Sequence, residues 1–211
     1  MNRLTITEIS KKIKKKEVLN NISFELCGSQ ITGVVGENGS GKTTLFRIIS
    51  GLVTPSCGYL SWNGEKISRH KDAPRIGIVL DNVSLFPELS ALQNLMLLSR
   101  INSIVTMQEV REVISLVGLD PDNPLHFSKF SLGMKQRLLL AQAIMEKPDI
   151  LLLDEATNGI DADGLELYYK IIKSEAQRGA IVFLSSHRAV DIARLCDKVI
   201  YMRQGEILDE Q

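Results

Sequence analysis

Short apolar runs recur along the chain and alternate with stretches in which apolar residues follow helical spacing. Apolar runs of this length predict strands that are buried on both faces, as in a parallel sheet. The runs cover residues 31–35, 76–80, 150–153, 181–184 and 199–202. Helical spacing covers residues 42–51, 92–104, 108–117, 132–145 and 164–177. The alternation of the two patterns predicts an α/β fold with a mostly parallel sheet.

The N-terminal part differs, because apolar and polar residues alternate there in two segments. This period of two predicts strands with one buried face, in a small antiparallel β subdomain. The alternating apolar residues are Leu4, Ile6, Ile9, Ile22, Phe24 and Leu26. The lysine-rich residues 11–16 between them form either a solvated hairpin tip or a contact for phosphate or a membrane surface. So short a charge run favours the solvated tip.

Residues 81–146 are mostly helical and interrupt the series of strands. We therefore expect one domain over residues 1–211, with a catalytic α/β core from residues 1–80 and 147–211. The helical stretch is expected to form a subdomain inserted into that core.

Composition limits the possible functions. The formal net charge of zero argues against a dedicated nucleic-acid binder, which would carry a basic excess. Cys27, Cys57 and Cys196 lie far apart without a CxxC pair, which favours reduced thiols in a cytoplasmic protein. The N-terminus lacks the apolar segment of a signal peptide. No apolar run approaches the roughly 18 residues that a membrane helix needs.

A glycine-rich loop follows the run at residues 31–35 and precedes a predicted helix. Its sequence, GENGSGKT, matches the spacing G-x-x-x-x-G-K-T of a phosphate-binding loop (P-loop) in the context that this motif requires. Lysine in this motif reaches the β- and γ-phosphates, the threonine that follows it offers its hydroxyl to Mg²⁺, and Thr44 is expected at the α-phosphate. The predicted nucleotide-binding residues are Gly36, Glu37, Asn38, Gly39, Ser40, Gly41, Lys42, Thr43 and Thr44.

Polar residues follow two further predicted strands. Asp154 and Glu155 end the most apolar run, and His187 follows the run at residues 181–184. Because ligands bind at the carboxyl ends of strands in α/β sheets, we expect these side chains beside the P-loop. Asp154 would hold Mg²⁺, Glu155 would deprotonate the attacking water, and His187 would bridge that water and the γ-phosphate. Two solvated acids at a strand end are the alternative.

The segment FSLGMKQRLLLAQAI starts with polar residues and continues as a buried helix. Ser131 is placed to cap this helix, and Gly133 lies just inside it, where glycine costs stability. A helix N-terminus binds anions readily, so this one is a candidate anion site.

These segments, in this order, resemble the ATP-binding cassette (ABC) ATPases of ABC transporters over essentially the whole chain. Residues 36–44 resemble the Walker A loop, 131–137 the signature segment, 150–155 Walker B, 158–161 the D-loop and His187 the switch histidine. The resemblance implies that two subunits pack head to tail around ATP. Ser131 and Gly133 would then contact the γ-phosphate bound to the partner subunit, and Asp161 would lie at the shared site.

Two positions depart from the family pattern. Ile13 stands where an aromatic residue normally stacks on adenine, so we expect weaker ATP affinity or looser base choice. Asp81 stands at the position of the Q-loop glutamine; it can still ligate Mg²⁺, but it cannot donate a hydrogen bond. An alignment shifted by one residue would place Asn82 there instead.

The resemblance implies an ATPase that energises transport through separate integral membrane permease subunits, and that lies on the cytoplasmic face of the membrane. The SLGMKQR signature is similar to that of exporters for peptide antibiotics and bacteriocins. Residues 85–95 would meet the permease; ordinary loop and helix packing is the alternative. A soluble non-transport ABC ATPase and a haem-export cassette of cytochrome c maturation are the other readings.

Overall fold

The structure is a computed structural model that describes residues 1–67, 73–80 and 83–210. In these residues the strands are β1 Arg3–Ile13, β2 Lys16–Cys27, β3 Ile31–Val35, β4 Cys57–Trp62, β5 Glu65–Lys66, β6 Ile76–Val79, β7 Ile150–Asp154, β8 Ile181–Ser185, β9 Lys198–Arg203 and β10 Glu206–Glu210. The α-helices are α1 Lys42–Ile49, α2 Ala91–Asn102, α3 Met107–Leu116, α4 Leu132–Ile144, α5 Ala162–Gln177 and α6 Ala189–Leu195.

A six-stranded sheet carries the catalytic half of the molecule. Its strand order is β10-β9-β3-β8-β7-β6, and every neighbouring pair is parallel except β9 and β10. All residues of β7 and β8 are buried, as their apolar sequences predicted. The predicted α/β class with a mostly parallel sheet is confirmed.

A second, antiparallel sheet with the order β2-β1-β4-β5 forms the N-terminal part. Strands β1 and β2 meet at a turn within the lysine run, where Lys14 takes a left-handed backbone conformation with φ of 55°. Lys14 and Lys15 are exposed at this turn, so the run forms the exposed tip of a hairpin.

Two hydrophobic clusters lie on opposite faces of the parallel sheet, because successive side chains of a strand point to opposite faces. Along β7, Ile150 and Leu152 join one cluster and Leu151 and Leu153 join the other. The first cluster fills the space between the two sheets and includes the stacked rings of Phe46 and Phe183, whose centroids are 4.9 Å apart. The second joins the sheet to helices α2 to α6.

Helices α2, α3 and α4 lie between β6 and β7 in the chain, with a short 3₁₀ helix at Phe127–Lys129. They fall within the residues predicted to form the helical insertion. Helix α4 packs so closely on β6 that a Cβ atom at Gly77 would lie 1.9 Å from the Ala143 carbonyl oxygen. No helix among the described residues is long and apolar enough to span a bilayer.

Asn94 holds the loop that precedes α2, and its replacement is expected to destabilise the fold. Its buried amide accepts from the Phe86 N–H at 2.9 Å and donates to the carbonyl oxygens of Phe86, Leu89 and Ser90 at 3.0–3.1 Å. Asn94→Ala leaves these groups without that partner, so we expect the free energy of unfolding to fall by about 2 kcal/mol in urea denaturation. The exposed bond from Asn102 to Glu146 provides the control. Asn102→Ala should change the free energy of unfolding by less than about 0.5 kcal/mol. A loss as large as that in Asn94→Ala would contradict the role given to Asn94.

Candidate functional site

The glycine-rich loop joins β3 to α1 and surrounds the amine of Lys42. The Nζ atom donates to the carbonyl oxygens of Gly36 at 2.6 Å and Glu37 at 3.3 Å, and the side chain is buried. Gly41 precedes the helix with φ of 109°, and no side chain caps α1. The N–H groups of the first helical turn are therefore available to an anion.

Close packing fixes the loop from two sides. A Cβ atom at Gly36 would lie 2.2 Å from the Met202 carbonyl oxygen, and one at Gly41 would lie 2.7 Å from Leu19. The N–H of Gly205, in the turn between β9 and β10, donates to the Ser40 carbonyl at 2.9 Å. The Ser40 hydroxyl is buried and has no hydrogen-bond partner among the residues that the structure describes. A phosphate group would supply that missing partner, so the loop fits a nucleotide.

Asp154 ends β7 next to the start of α1. Its carboxylate is buried and accepts from the Thr43 hydroxyl at 2.7 Å and from the Ser185 hydroxyl at 2.6 Å. Thr43 and Asp154, each predicted as a ligand of Mg²⁺, are therefore in direct contact, although the two residues come from distant parts of the chain. Ser185 was not predicted, because a serine at the end of an apolar strand carries no distinctive sequence signal.

Glu155 and His187 form a contact at the same edge of the sheet. Glu155 has φ of 54°, an unusual value for a residue with a side chain. The backbone N–H of His187 donates to Glu155 Oε2 at 3.1 Å, and the His187 Nε2 atom lies 3.3 Å from Oε1. The Glu155 side chain is 12% exposed and the His187 side chain is 53% exposed, so the pair faces the cleft from its rim.

One cleft brings most of the predicted residues together. It is lined by Val18, Asn38, Gly39, Ser40, Gly41, Lys42, Thr43, Thr44, Asp154, Glu155 and His187. Val18 was missed by sequence reasoning, which selected Ile13 on the opposite arm of the hairpin. Ile13 is half exposed at the end of β1 and does not line the cleft, so its contact with adenine stays a prediction. Asp81 and Asn82 lie outside the described residues.

The signature residues lie outside this cleft. Ser131 is exposed and caps α4, as predicted, because its hydroxyl accepts from the Met134 N–H at 3.2 Å. A Cβ atom at Gly133 would lie 3.0 Å from the Gly159 carbonyl oxygen, so the glycine also permits a close contact within the chain. Asp161 caps α5 by accepting from the Gly164 N–H at 3.0 Å. The structure thus gives Ser131, Gly133 and Asp161 local roles, and their contacts with nucleotide stay predictions.

Comparisons with known proteins agree with the geometry of the cleft. The sequence profile of the ABC transporter family matches residues 19–158. An uncharacterized ABC transporter ATP-binding protein of Bacillus subtilis, YybJ, is 44% identical over 97% of this chain and 94% of its own length. The bacitracin transport ATP-binding protein BcrA of Bacillus licheniformis is 34% identical over 97% of this chain and 68% of its own length.

Solved structures show the same fold. The dimeric structure of MJ0796, a bacterial ABC transporter cassette, superposes with a TM-score of 0.87, at 24% identity, over 99% of this chain and 97% of that chain. The family match and the identity to YybJ both cover most of the chain. The chain therefore belongs to the ABC transporter family and is one of its ATP-binding ATPase subunits.

Proposed function

We propose that this protein hydrolyses ATP to drive export through separate membrane permease subunits. The contact of Glu155 with His187, beside the P-loop and Asp154, is the observation that carries the hydrolytic part of the proposal. The similarity to BcrA, a bacitracin transport protein by name, supports export. No observation favours the soluble ATPase or the haem-export cassette.

The phosphates of ATP would bind the loop around Lys42. Its amine, held by two carbonyl oxygens, is already placed inside the loop and would pair with the β- and γ-phosphates. Thr43 and Asp154 would hold Mg²⁺, because their oxygens lie side by side and hard oxygen donors suit this ion. When bound, Mg²⁺ supplies positive charge that neutralises the phosphates. Ile13 and Val18 would flank the base from the two arms of the hairpin.

Glu155 would act as the general base. Its carboxylate would accept a proton from the water that attacks the γ-phosphorus atom, while the bond to the leaving ADP oxygen breaks. The backbone N–H of His187 contacts one oxygen of this carboxylate, and the imidazole contacts the other. The imidazole, placed at the rim of the cleft, would orient the attacking water toward the γ-phosphate. Burial of most of the Glu155 side chain limits its motion in the cleft.

A second copy or a related cassette would complete the site. Ser131 is exposed at the N-terminus of α4 and does not line the cleft of its own chain. This position supports a contact in trans, in which Ser131 and Gly133 face the γ-phosphate of the partner and Asp161 lies at the interface. The N–H groups at the start of α4 would add to that contact.

The helical insertion, residues 81–146 with Asp81 at its start, would dock the permease and place the protein at the cytoplasmic face of the membrane. Phe86 is half exposed, and Asn94 holds both its N–H and its carbonyl. The side chains of Leu97 and Ile101 on α2 are also exposed. A fixed, exposed aromatic residue and the exposed apolar side chains of α2 support docking of an apolar segment.

Two measurements test the proposal: the ATP affinity of Lys42→Ala, and phosphate release by the wild-type protein in MgATP. Loss of the amine removes charge-assisted bonds to the phosphates, so we expect ATP affinity to fall at least about tenfold in calorimetric titration. Lys66 lies over the ring of Tyr59, away from the cleft, and Lys66→Ala should bind ATP normally. A wild-type protein that releases no phosphate would contradict hydrolysis. Unchanged affinity in Lys42→Ala would contradict the site.

A further inference from the structure

Asp191, on α6, is a fully buried carboxylate that lies beneath the loops carrying Glu155 and His187. Its Oδ2 atom accepts from the Thr157 hydroxyl at 2.6 Å and from the Ser186 hydroxyl at 2.7 Å. Its Oδ1 atom accepts from the Tyr169 hydroxyl, and the Arg188 Nε atom lies 3.7 Å away. The carboxylate is therefore compensated by three hydroxyl donors and one cation, as a buried charge requires.

The two donors to Oδ2 come from two different catalytic loops. Thr157 follows Glu155 in the loop after β7, and Ser186 directly precedes His187 in the loop after β8. The parallel pairing of these strands ends at Asp154 and Ser185. One carboxylate oxygen thus joins the loops just beyond the point where the sheet stops holding them together.

The charge of Asp191 also fixes the direction of each hydrogen bond. A carboxylate only accepts, so the hydroxyls of Thr157 and Ser186 must both donate. The Ser186 hydroxyl in turn accepts from the Arg188 N–H at 3.1 Å, which restrains the backbone on the far side of His187. Burial and the bond to Asp191 raise the pKa of Tyr169 to about 12, so this hydroxyl also remains a donor.

We propose that Asp191 is a positioning residue for ATP hydrolysis: by holding Thr157 and Ser186 on one oxygen atom, it sets the spacing between Glu155 and His187. This role rests on the proposed function of Glu155 as the base. Asp191 does not line the cleft, so it acts through the two loops. Without it, the loops keep the direct contact of Glu155 with His187 but lose the support beneath that contact.

Asp191→Asn tests this role, with Tyr169→Phe as the matched control. The asparagine keeps the volume but offers one neutral acceptor oxygen and an NH₂ donor in place of two charged acceptors, so the three hydroxyls can no longer all donate to this side chain. Tyr169→Phe removes only the bond to the other oxygen. We expect kcat of Asp191→Asn to fall about tenfold, since small displacements of catalytic groups are costly, while ADP affinity stays within about twofold. Tyr169→Phe should lower Tm but leave kcat within about twofold of wild type.

Two further variants allow for an Asp191→Asn protein that does not fold. Thr157→Val and Ser186→Ala each remove one of the two bonds to Oδ2, and each should lower kcat with ADP affinity retained. Turnover near the wild-type value in the folded variants would overturn the proposal. So would a kcat in Tyr169→Phe as low as in Asp191→Asn. A wild-type protein without turnover would instead overturn the proposed function itself, and this inference with it.

Discussion

Glu155→Gln is expected to slow ATP hydrolysis at least about 100-fold while ATP binding persists. Glutamine has nearly the same shape and can still accept from the His187 N–H, which lies 3.1 Å from the native carboxylate. It cannot take a proton from water, so only the chemical step should suffer. The position already tolerates a left-handed backbone with φ of 54°, and glutamine adds no branch at Cβ that would increase the strain. Phosphate release and ATP titration on the same protein sample measure the two effects.

Glu175 offers a control of similar burial. Its side chain is 14% exposed and pairs with Arg178 at 2.6 Å, away from the cleft. Glu175→Gln should therefore leave turnover unchanged, although it also removes a carboxylate from a charged partner. Near-normal hydrolysis in Glu155→Gln would remove Glu155 from the role of base. Loss of ATP binding in that variant would show that the side chain supports the nucleotide rather than the reaction.

The parts of the fold that sequence predicted are those fixed by local pattern. Strands β7 and β8 are continuous apolar runs, and α4 starts at a serine cap, so the local sequence predicts both kinds of element. Helix α6 was missed because it is only seven residues long, begins after Arg188 and has no side-chain cap. Strand β4 was missed because half of its residues are exposed and its pairing with β1 contains a bulge.

The residues of the candidate site also fall into those that a local pattern predicts and those that depend on tertiary contacts. Lys42 and Thr43 belong to a motif with fixed spacing, and Asp154, Glu155 and His187 follow strands whose order in the sheet brings them to the same edge. Val18 lines the cleft because the N-terminal hairpin packs against Gly41 of the P-loop, a long-range contact that no local pattern encodes. Asp191 resembles any acidic residue of a short helix until Thr157, Ser186 and Tyr169 converge on it from separate elements. The sequence therefore predicts the residues that belong to motifs, whereas Asp191 is recognised only from its contacts in the structure.

Ser131→Arg, made in the Glu155→Gln background, is expected to abolish ATP-dependent dimerisation while leaving ATP bound to the single subunit. Because Glu155→Gln should hydrolyse ATP slowly, bound ATP would persist and hold two subunits together. Light scattering in MgATP should therefore show a shift from monomer to dimer. Ser131 is exposed and lies outside the cleft of its own chain, so an arginine there should not disturb nucleotide held by Lys42. In a head-to-tail dimer, however, the long side chain would occupy the space of the partner's γ-phosphate.

Loss of the helix cap must be separated from this steric effect. The Ser131 hydroxyl accepts from the Met134 N–H at 3.2 Å, and removing it costs about 1 kcal/mol of stability. Ser131→Ala loses the same bond without adding bulk, so it should retain a measurable dimer, although a weaker one. If Ser131→Arg also lost ATP binding, the site would be formed within one chain. If the dimer persisted, the exposed end of α4 would not face the nucleotide, and the partner would contact the protein through another surface.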